Sequence, residues 1–244
     1  MNDGWNDSAD AWLASLGDQG DFSRRFVLDA PMMEQALIGA PRRALDVGCG
    51  EGRFCRMLAA RGVEAVGIDP TPALLDSARA LDPAGDYREG RAETLDFEDG
   101  TFDLVVSYLT LIDIPDIRAA IPEMVRVLKP GGRLLIANLT SFNTAGLGGL
   151  GWIRTANGKP AYALDRYLEE RVEWITWAGI KIRNWHRPLE TYMSLLLAQG
   201  LILKTFAEPT PHGGDPATAD KYRRAPWLMM MAWEKPADTA APAG

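Results

Sequence analysis

The residues whose types and spacing point most directly to chemistry are three glycines, a carboxylate and a histidine. Gly48, Gly50 and Gly52 stand in Leu45-Asp46-Val47-Gly48-Cys49-Gly50-Glu51-Gly52-Arg53-Phe54, between an apolar strand-like run and a helical period. Glycines at such a junction permit positive φ and let a ligand come against the backbone. A nicotinamide-binding turn would place its third glycine at position 53, where this chain has Arg53. The spacing G-x-G-x-G favours instead a nucleoside whose amino-acid end touches the turn. Asp69 lies seventeen residues beyond Gly52 and ends the next apolar run. An acid there accepts hydrogen bonds from two adjacent ribose hydroxyls, and Asp before a helix also serves as an N-cap. Farther along, His186 carries the side chain that titrates near neutrality. It is a candidate base for an acceptor's proton, or a structural histidine bonded to backbone.

The elements that must hold these residues alternate regularly. Ala44–Val47, Ala65–Ile68, Asp86–Arg88, Phe102–Ser107 and Arg133–Leu139 read as strands, the first ending directly at Gly48. Helical periods fall between them: Arg53–Arg61, Pro72–Ala80, and a stripe of Ile117, Ile121, Met124, Val125 and Leu128 that Pro122 should kink or restart. Lys129-Pro130-Gly131-Gly132 reads as a turn before the fifth strand. Strands alternating with helices in this way predict an α/β fold with a doubly wound, mostly parallel sheet. Val172–Trp185 reads as a β-hairpin turning at Ala178-Gly179, and Leu189–Gln199 as a helix. Leu201–Ala207 and Trp227–Trp233 are two closing strands, an antiparallel hairpin joined by the Pro/Gly-rich loop 208–226, which brings the sheet to seven strands.

The flanks are read differently. Ala9, Trp12, Leu13 and Leu16 recur at helical spacing, and a second helix over Phe26–Leu37 is interrupted near Pro31, so residues 1–40 form a helical cover. Residues 41–235 are then the main domain, with 140–190 inserted on the acceptor side and 236–244 a disordered tail. Gly146, Gly148, Gly149, Gly151 and Gly158 suggest a mobile cover, with 143–151 as the moving lid.

Bulk composition narrows the function. With 26 basic and 33 acidic residues among 244, the net charge is −7, which argues against a phosphate-backbone partner. Cys49 and Cys55, with His186 and His212, make no zinc spacing, so no metal is expected. No secretory leader pattern or membrane-length apolar run is evident, and a cytoplasmic enzyme is the expectation.

At this point a resemblance becomes specific. A-L-D-V-G-C-G-E-G-R-F, G-I-D at the second strand, F-D-L-V-V-S at the fourth and R-V-L-K-P-G-G-R-L-L-I at the fifth resemble the class I, Rossmann-like S-adenosylmethionine-dependent methyltransferases over about residues 40–140. Trp185-His186-Arg187-Pro188-Leu189 resembles a bacterial small-molecule branch of that family. The resemblance implies S-adenosylmethionine as cofactor, with S-adenosylhomocysteine as product. It implies Gly48, Cys49 and Gly50 at the methionine end and Asp46 on its amino group. Asp69 would bind the ribose, Pro70 would lie against the adenine, and Ala92-Glu93 would contact the adenine amine. Ser107, Tyr108 and Leu109 would face the sulfonium and the acceptor, and Arg24 would reach the cofactor carboxylate, with Arg25 equal to it on charge. Where related sequences often carry His-Pro after the fifth strand, this chain has Asn138-Leu139-Thr140-Ser141. That role is absent here or has passed to His186.

A sulfonium methyl is already activated, so the enzyme mostly aligns the acceptor and excludes water. Tyr108 and His186 are the candidate catalytic residues on the acceptor side. The aromatic residues Trp152, Tyr162, Tyr167, Trp174, Trp177 and Trp185 either stack a flat acceptor or pack a core. Asp113 either binds an acceptor amine or caps the helix near Pro115, and Arg183 and Arg187 either clamp an acceptor carboxylate or lie on the surface. The expected function is methyl transfer to an oxygen or nitrogen of a small aromatic or heterocyclic acceptor. The alternatives are a non-catalytic cofactor-binding partner and a nucleic-acid methyltransferase, and a nicotinamide oxidoreductase comes last.

Overall fold

The computed structural model describes residues 3–17, 19–146 and 151–237. Its centre is a sheet built from β1 (Arg43–Val47), β2 (Glu64–Asp69), β3 (Asp86–Glu89), β4 (Phe102–Tyr108), β5 (Leu128–Leu139), β10 (Ile202–Ala207) and β11 (Leu228–Glu234). The strand order is β10-β11-β5-β4-β1-β2-β3. Pairs β1–β2, β2–β3, β1–β4 and β4–β5 are parallel, and β11 runs antiparallel to both β5 and β10. The sheet is therefore the expected seven-stranded one. Strand order reverses at β1, with β2 and β4 on its two sides, so a crevice opens beyond the carboxyl ends of β1 and β4, where open α/β sheets bind ligands.

Alternation along the strands explains why both faces are apolar. Leu134 and Ile136 of β5, with Met229, Met231 and Trp233 of β11, face Ile117, Ile121 and Met124 of α5 (Ile117–Arg126) and Tyr192 and Leu196 of α7 (Leu189–Ala198). Leu135, Ala137, Met230 and Ala232 face the other way, onto Met32 and Met33 of α2 (Asp29–Ala36) and Phe54 and Leu58 of α3 (Arg53–Ala59). Residues i and i+2 share a face, so a sheet covered on both sides needs uninterrupted apolar strands.

Several local expectations are corrected. Lys129-Pro130-Gly131-Gly132 is not a turn ahead of the strand but an irregularity inside β5, whose pairing with β4 shifts from Phe102↔Leu128 to Leu104↔Arg133. Pro122 does not break α5, which runs unbroken through it with Asp116 as its capping residue. Pro31 sits inside the first turn of α2, and the irregularity lies upstream as a π-helical turn, Arg24–Leu28. There the Asp29 N–H reaches back to the Arg24 carbonyl, widening the helix where the proline ring would press on it. The loop 208–226 contains α8 (Pro216–Arg224), capped by the Asp215 carboxylate on Thr218 N–H. Two short strands, β6 (Trp152–Arg154) and β7 (Pro160–Tyr162), pair antiparallel within the insertion. Of the glycine-rich stretch, residues 147–150 lie outside the described residues, as does the tail from 238.

The hairpin is found as expected: β8 (Arg171–Trp177) and β9 (Ile180–His186) pair up to Trp177↔Ile180. Ala178 and Gly179 have φ of 44° and 82°, the double positive φ of a tight two-residue turn. Ile180, Ile182 and His186 are buried on one face of β9. That strand carries α1 (Trp5–Leu16): the Ser8 hydroxyl donates to the Lys181 carbonyl and accepts from the Lys181 N–H, and the Arg183 N–H donates to the Asp3 carbonyl. Among the described residues no helix is long and apolar enough to cross a membrane.

Candidate functional site

The crevice at the carboxyl ends of β1 and β4 is a cleft of about 980 Å³ including its mouth. The glycine turn forms its floor. A side chain at Gly48, where φ is 77°, would strike Thr110 at 2.2 Å, and one at Gly52 would strike Tyr87 at 2.4 Å. Gly50 is different, with its nearest neighbour 4.0 Å away. Two of the glycines thus let the chain close on itself, and the third leaves backbone open to a ligand.

Two acids flank this floor. Asp69 Oδ2 accepts the Gly50 N–H and Oδ1 the Thr71 N–H, both at 2.9 Å. Burial pushes its pKa up, while those N–H groups pull it back. Asp46 is 2% exposed, and the Cys55 thiol reaches its Oδ2 at 3.6 Å. Its Oδ1 has no hydrogen-bond partner among the described residues. Burial raises the Asp46 pKa to about 7. A buried acceptor without a donor is costly, and an amino group entering the cleft would satisfy it. Asp46, Asp69 and open Gly50 therefore fit the amino-acid and ribose ends of S-adenosylmethionine.

Most of the expected cofactor residues come together here. Arg24, Asp46, Gly48, Cys49, Gly50, Asp69, Pro70, Ala92, Glu93 and Tyr108 all line the cleft. Arg24, rather than Arg25, is the cleft arginine: Arg25 is exposed and lies over Phe26. The Arg24 guanidinium pairs with Asp21 at 2.7 Å and covers the rings of Trp12 and Tyr108 at 4.9 and 5.7 Å. Ser107 is a correction. It is fully buried within β4 and does not line the cleft, because strand alternation turns it away from the face that carries Tyr108.

Both catalytic candidates are corrected in what they offer. The Tyr108 hydroxyl donates to Asp29 Oδ1 at 2.9 Å, and burial beside that carboxylate lifts its pKa well above the phenol range. What it gives the cleft is a ring, not a base. His186 is buried, with Nε2 2.8 Å from the Tyr167 carbonyl and Nδ1 2.7 Å from the Thr144 hydroxyl. The carbonyl fixes Nε2 as the donor, so Nδ1 accepts from Thr144, and neither nitrogen is free. Burial lowers its pKa. As folded, His186 fastens Thr144 and Tyr167 together.

Its neighbour is a further correction. Arg187 is neither a clamp nor a surface residue: it is 1% exposed, and its guanidinium donates to the carbonyls of Leu111, Ile114 and Pro115 at 2.8 to 3.0 Å. The Trp185 N–H adds a bond to the Ile112 carbonyl. The end of β9 thus pins the loop that leaves β4.

The sequence reading missed the network that closes the cleft from the N-terminal side. Arg53 makes a two-pronged pair with Asp29, at 2.8 and 2.6 Å, and donates to the Gln19 carbonyl at 2.7 Å. The position that excluded a dinucleotide glycine therefore ties α3 to the cover. Asp29 alone in the sequence gave no signal of this. Trp5 and Trp12 of α1 also reach the site, which only long-range packing decides.

A second cavity, about 1440 Å³ including its mouth, adjoins the first. Trp5, Trp12, Arg24, Leu109 and Asp113 line both. Its other walls include Phe22, Trp177, Tyr222, Trp227, Thr144 and His186. A cleft shaped for a nucleoside with an amino-acid end, at the switch point of this sheet and opening into an aromatic chamber, is the arrangement of the class I, Rossmann-like methyltransferase fold.

Comparison with known proteins agrees. Residues 45–136 match the methyltransferase domain family. An uncharacterized methyltransferase of Mycobacterium tuberculosis is 39% identical over 119 residues, 48% of this chain and 46% of that protein. A malonyl-[acyl-carrier protein] O-methyltransferase of Serratia marcescens is 36% identical over 104 residues, 43% of this chain and 41% of that one. The chain thus spans about half the length, or less, of these curated relatives. The crystal structure of an S-adenosylmethionine-dependent methyltransferase from Mesorhizobium loti superposes with a TM-score of 0.75 at 24% identity, covering 85% of this chain and 96% of that one.

Proposed function

We propose that this chain transfers a methyl group from S-adenosylmethionine to an oxygen or nitrogen of a small molecule with an aromatic or heterocyclic body. The observation that carries the reading is the shared wall of the two cavities, at Trp5, Trp12, Arg24, Leu109 and Asp113. A donor and an acceptor held on its two sides would meet there, and alignment is most of what such a transfer asks of a protein.

When bound, the cofactor supplies an activated methyl group on a sulfonium. The chain's own residues hold and exclude. Asp46 Oδ1 takes the amino group, Asp69 the ribose hydroxyls, and Gly48, Cys49 and Gly50 the amino-acid end. Pro70, Ala92 and Glu93 border the adenine, and Arg24 offers its guanidinium to a carboxylate. The rings of Tyr108, Trp5 and Trp12 keep water from the junction and favour positive charge there. Residues 1–40 act as the cover over both cavities, and 140–190 as the acceptor-side insertion of the methyltransferase domain.

The reading is tested by binding. S-adenosylhomocysteine should bind saturably by calorimetry and NAD should not. Asp69→Ala should weaken S-adenosylhomocysteine binding about a hundredfold, the loss expected for two hydrogen bonds to a charged group. Equal binding of NAD, or an Asp69→Ala protein of unchanged affinity, would overturn it.

A further inference from the structure

Asp113 is the one acid on the described wall shared by the two cavities. It does not cap α5: that is done by Asp116, whose Oδ1 accepts the N–H groups of Arg118 and Ala119 at 3.0 and 3.1 Å. Asp113 instead faces both cavities, with Oδ1 accepting the Asn184 amide at 2.7 Å and the Trp5 side chain also hydrogen-bonded to it. Its loop is fixed, since Arg187 and the Trp185 N–H hold the carbonyls at 111, 112, 114 and 115. Burial drives its pKa well above the carboxylate range, and Asp69 and Asp3 push the same way.

The charges around the chamber give this carboxyl a meaning. Three acids line it, and two have cation partners: Asp21 pairs with Arg24 at 2.7 Å and Glu173 with Arg171 at 2.6 Å. Asp113 makes no ion pair among the described residues. Arg24 is the only Lys or Arg on the described wall; Asp21 holds one edge of its guanidinium, and the rest is proposed for the cofactor carboxylate. A ligand carboxylate would find no free cation there. A ligand ammonium would find a pinned acid without a counter-ion, beside the rings of Trp5, Trp12 and Trp177. A buried charge is tolerated when it is paired, and an ammonium is attracted to aromatic faces.

We propose that the second cavity is a binding site for a primary or secondary amine carried on a flat apolar body, with its nitrogen held by Asp113. This rests on the methyl-transfer reading and sharpens it. Asp113 would take the ammonium proton, and the freed nitrogen lone pair would form the N–C bond as the methyl's bond to the sulfonium sulfur breaks. S-adenosylhomocysteine would leave as the neutral thioether.

The test compares 2-phenylethylamine, 2-phenylethanol and 3-phenylpropionate by calorimetry and by quenching of tryptophan fluorescence. Each is titrated into the full chain with and without saturating S-adenosylhomocysteine. The amine is expected to bind at least tenfold more tightly than the alcohol, and the acid more weakly than both. Asp113→Asn should bind amine and alcohol alike, with alcohol binding reporting an intact chamber. An alcohol or acid that binds as tightly as the amine, or an amine that fails to bind in either state, would overturn the proposal. Failure of S-adenosylhomocysteine to bind would instead overturn the methyl-transfer reading, and the ranking of the three ligands would still decide the amine site.

Discussion

Asp46 and Asp69 end adjacent parallel strands, yet their surroundings treat them differently. Asp69 spends both oxygens on main-chain N–H groups, whereas Asp46 keeps one oxygen without a donor among the described residues and has its pKa raised to about 7. Between the ordinary carboxylate range and pH 7, the folded chain holds a proton on Asp46 that the unfolded chain has lost. This contribution to stability therefore falls as pH rises through that window and levels off above it. Binding of an ammonium needs the carboxylate, so it follows the opposite course. S-adenosylhomocysteine affinity should rise up to about tenfold per unit from pH 5 to 7 and then flatten, and Asp46→Asn should remove the slope. A calorimetric series across pH checks this, and a flat wild-type profile would count against Asp46 as the amino-group ligand. The glycines and Asp69 were legible because type and spacing alone mark them, and Asp46 only through the resemblance of its motif. The Arg53–Asp29 pair was not, since nothing local says that residues 24 apart will meet. Nor was the orientation of Ser107, which depends on the exact register of β4.

At the scale of elements, the end of β9 does more than its residue types suggested. Trp185, His186 and Arg187 fasten the loop 111–115, Thr144 and the Tyr167 carbonyl into one wall. The buried Arg187 guanidinium is held by three carbonyls, with the Tyr192 side chain and the Trp185 ring also against it, so its loss would strand three acceptors. Arg187→Met should lower the free energy of unfolding by about 3 kcal/mol, measured by urea denaturation. A change below about 1 kcal/mol would mean that the loop holds itself. Gly48→Ala meets both a positive φ and Thr110 at 2.2 Å. It should destabilise the fold by about 2 kcal/mol and weaken S-adenosylhomocysteine binding in the same protein, read by denaturation and calorimetry. The parallel strands and the β8–β9 hairpin were legible from apolar runs and from Ala178-Gly179. Helix α8 was overlooked although Asp215-Pro216, a cap followed by a first-turn proline, announces it. The irregularity in β5 was hidden because Pro-Gly-Gly reads as a turn wherever it falls.

For the whole molecule, the sheet supplies the floor of the cleft proposed for the cofactor, and the flanking segments supply the walls of the second cavity. The alternation that builds the first was readable over residues 40–140. The second is assembled from α1, the β8–β9 hairpin and the region around Tyr222 and Trp227, which are distant in sequence. Closure of the site therefore depends on α1 staying docked on β9 through Ser8 and Lys181. Amide exchange in residues 5–16 should slow when S-adenosylhomocysteine binds, because Trp5 and Trp12 line its cleft. Unchanged exchange there would separate α1 from the site.

Methyl transfer itself is tested most directly by mass spectrometry of a small-metabolite extract. The extract is incubated with S-adenosylmethionine and the intact protein, beside Asp69→Ala. The account predicts that a small nitrogen-bearing metabolite gains one methyl group with the intact protein, and that the gain is lost or sharply reduced with the variant. Bound S-adenosylhomocysteine with no methylated product from such an extract would contradict it, and would point to a protein that binds the cofactor without using it.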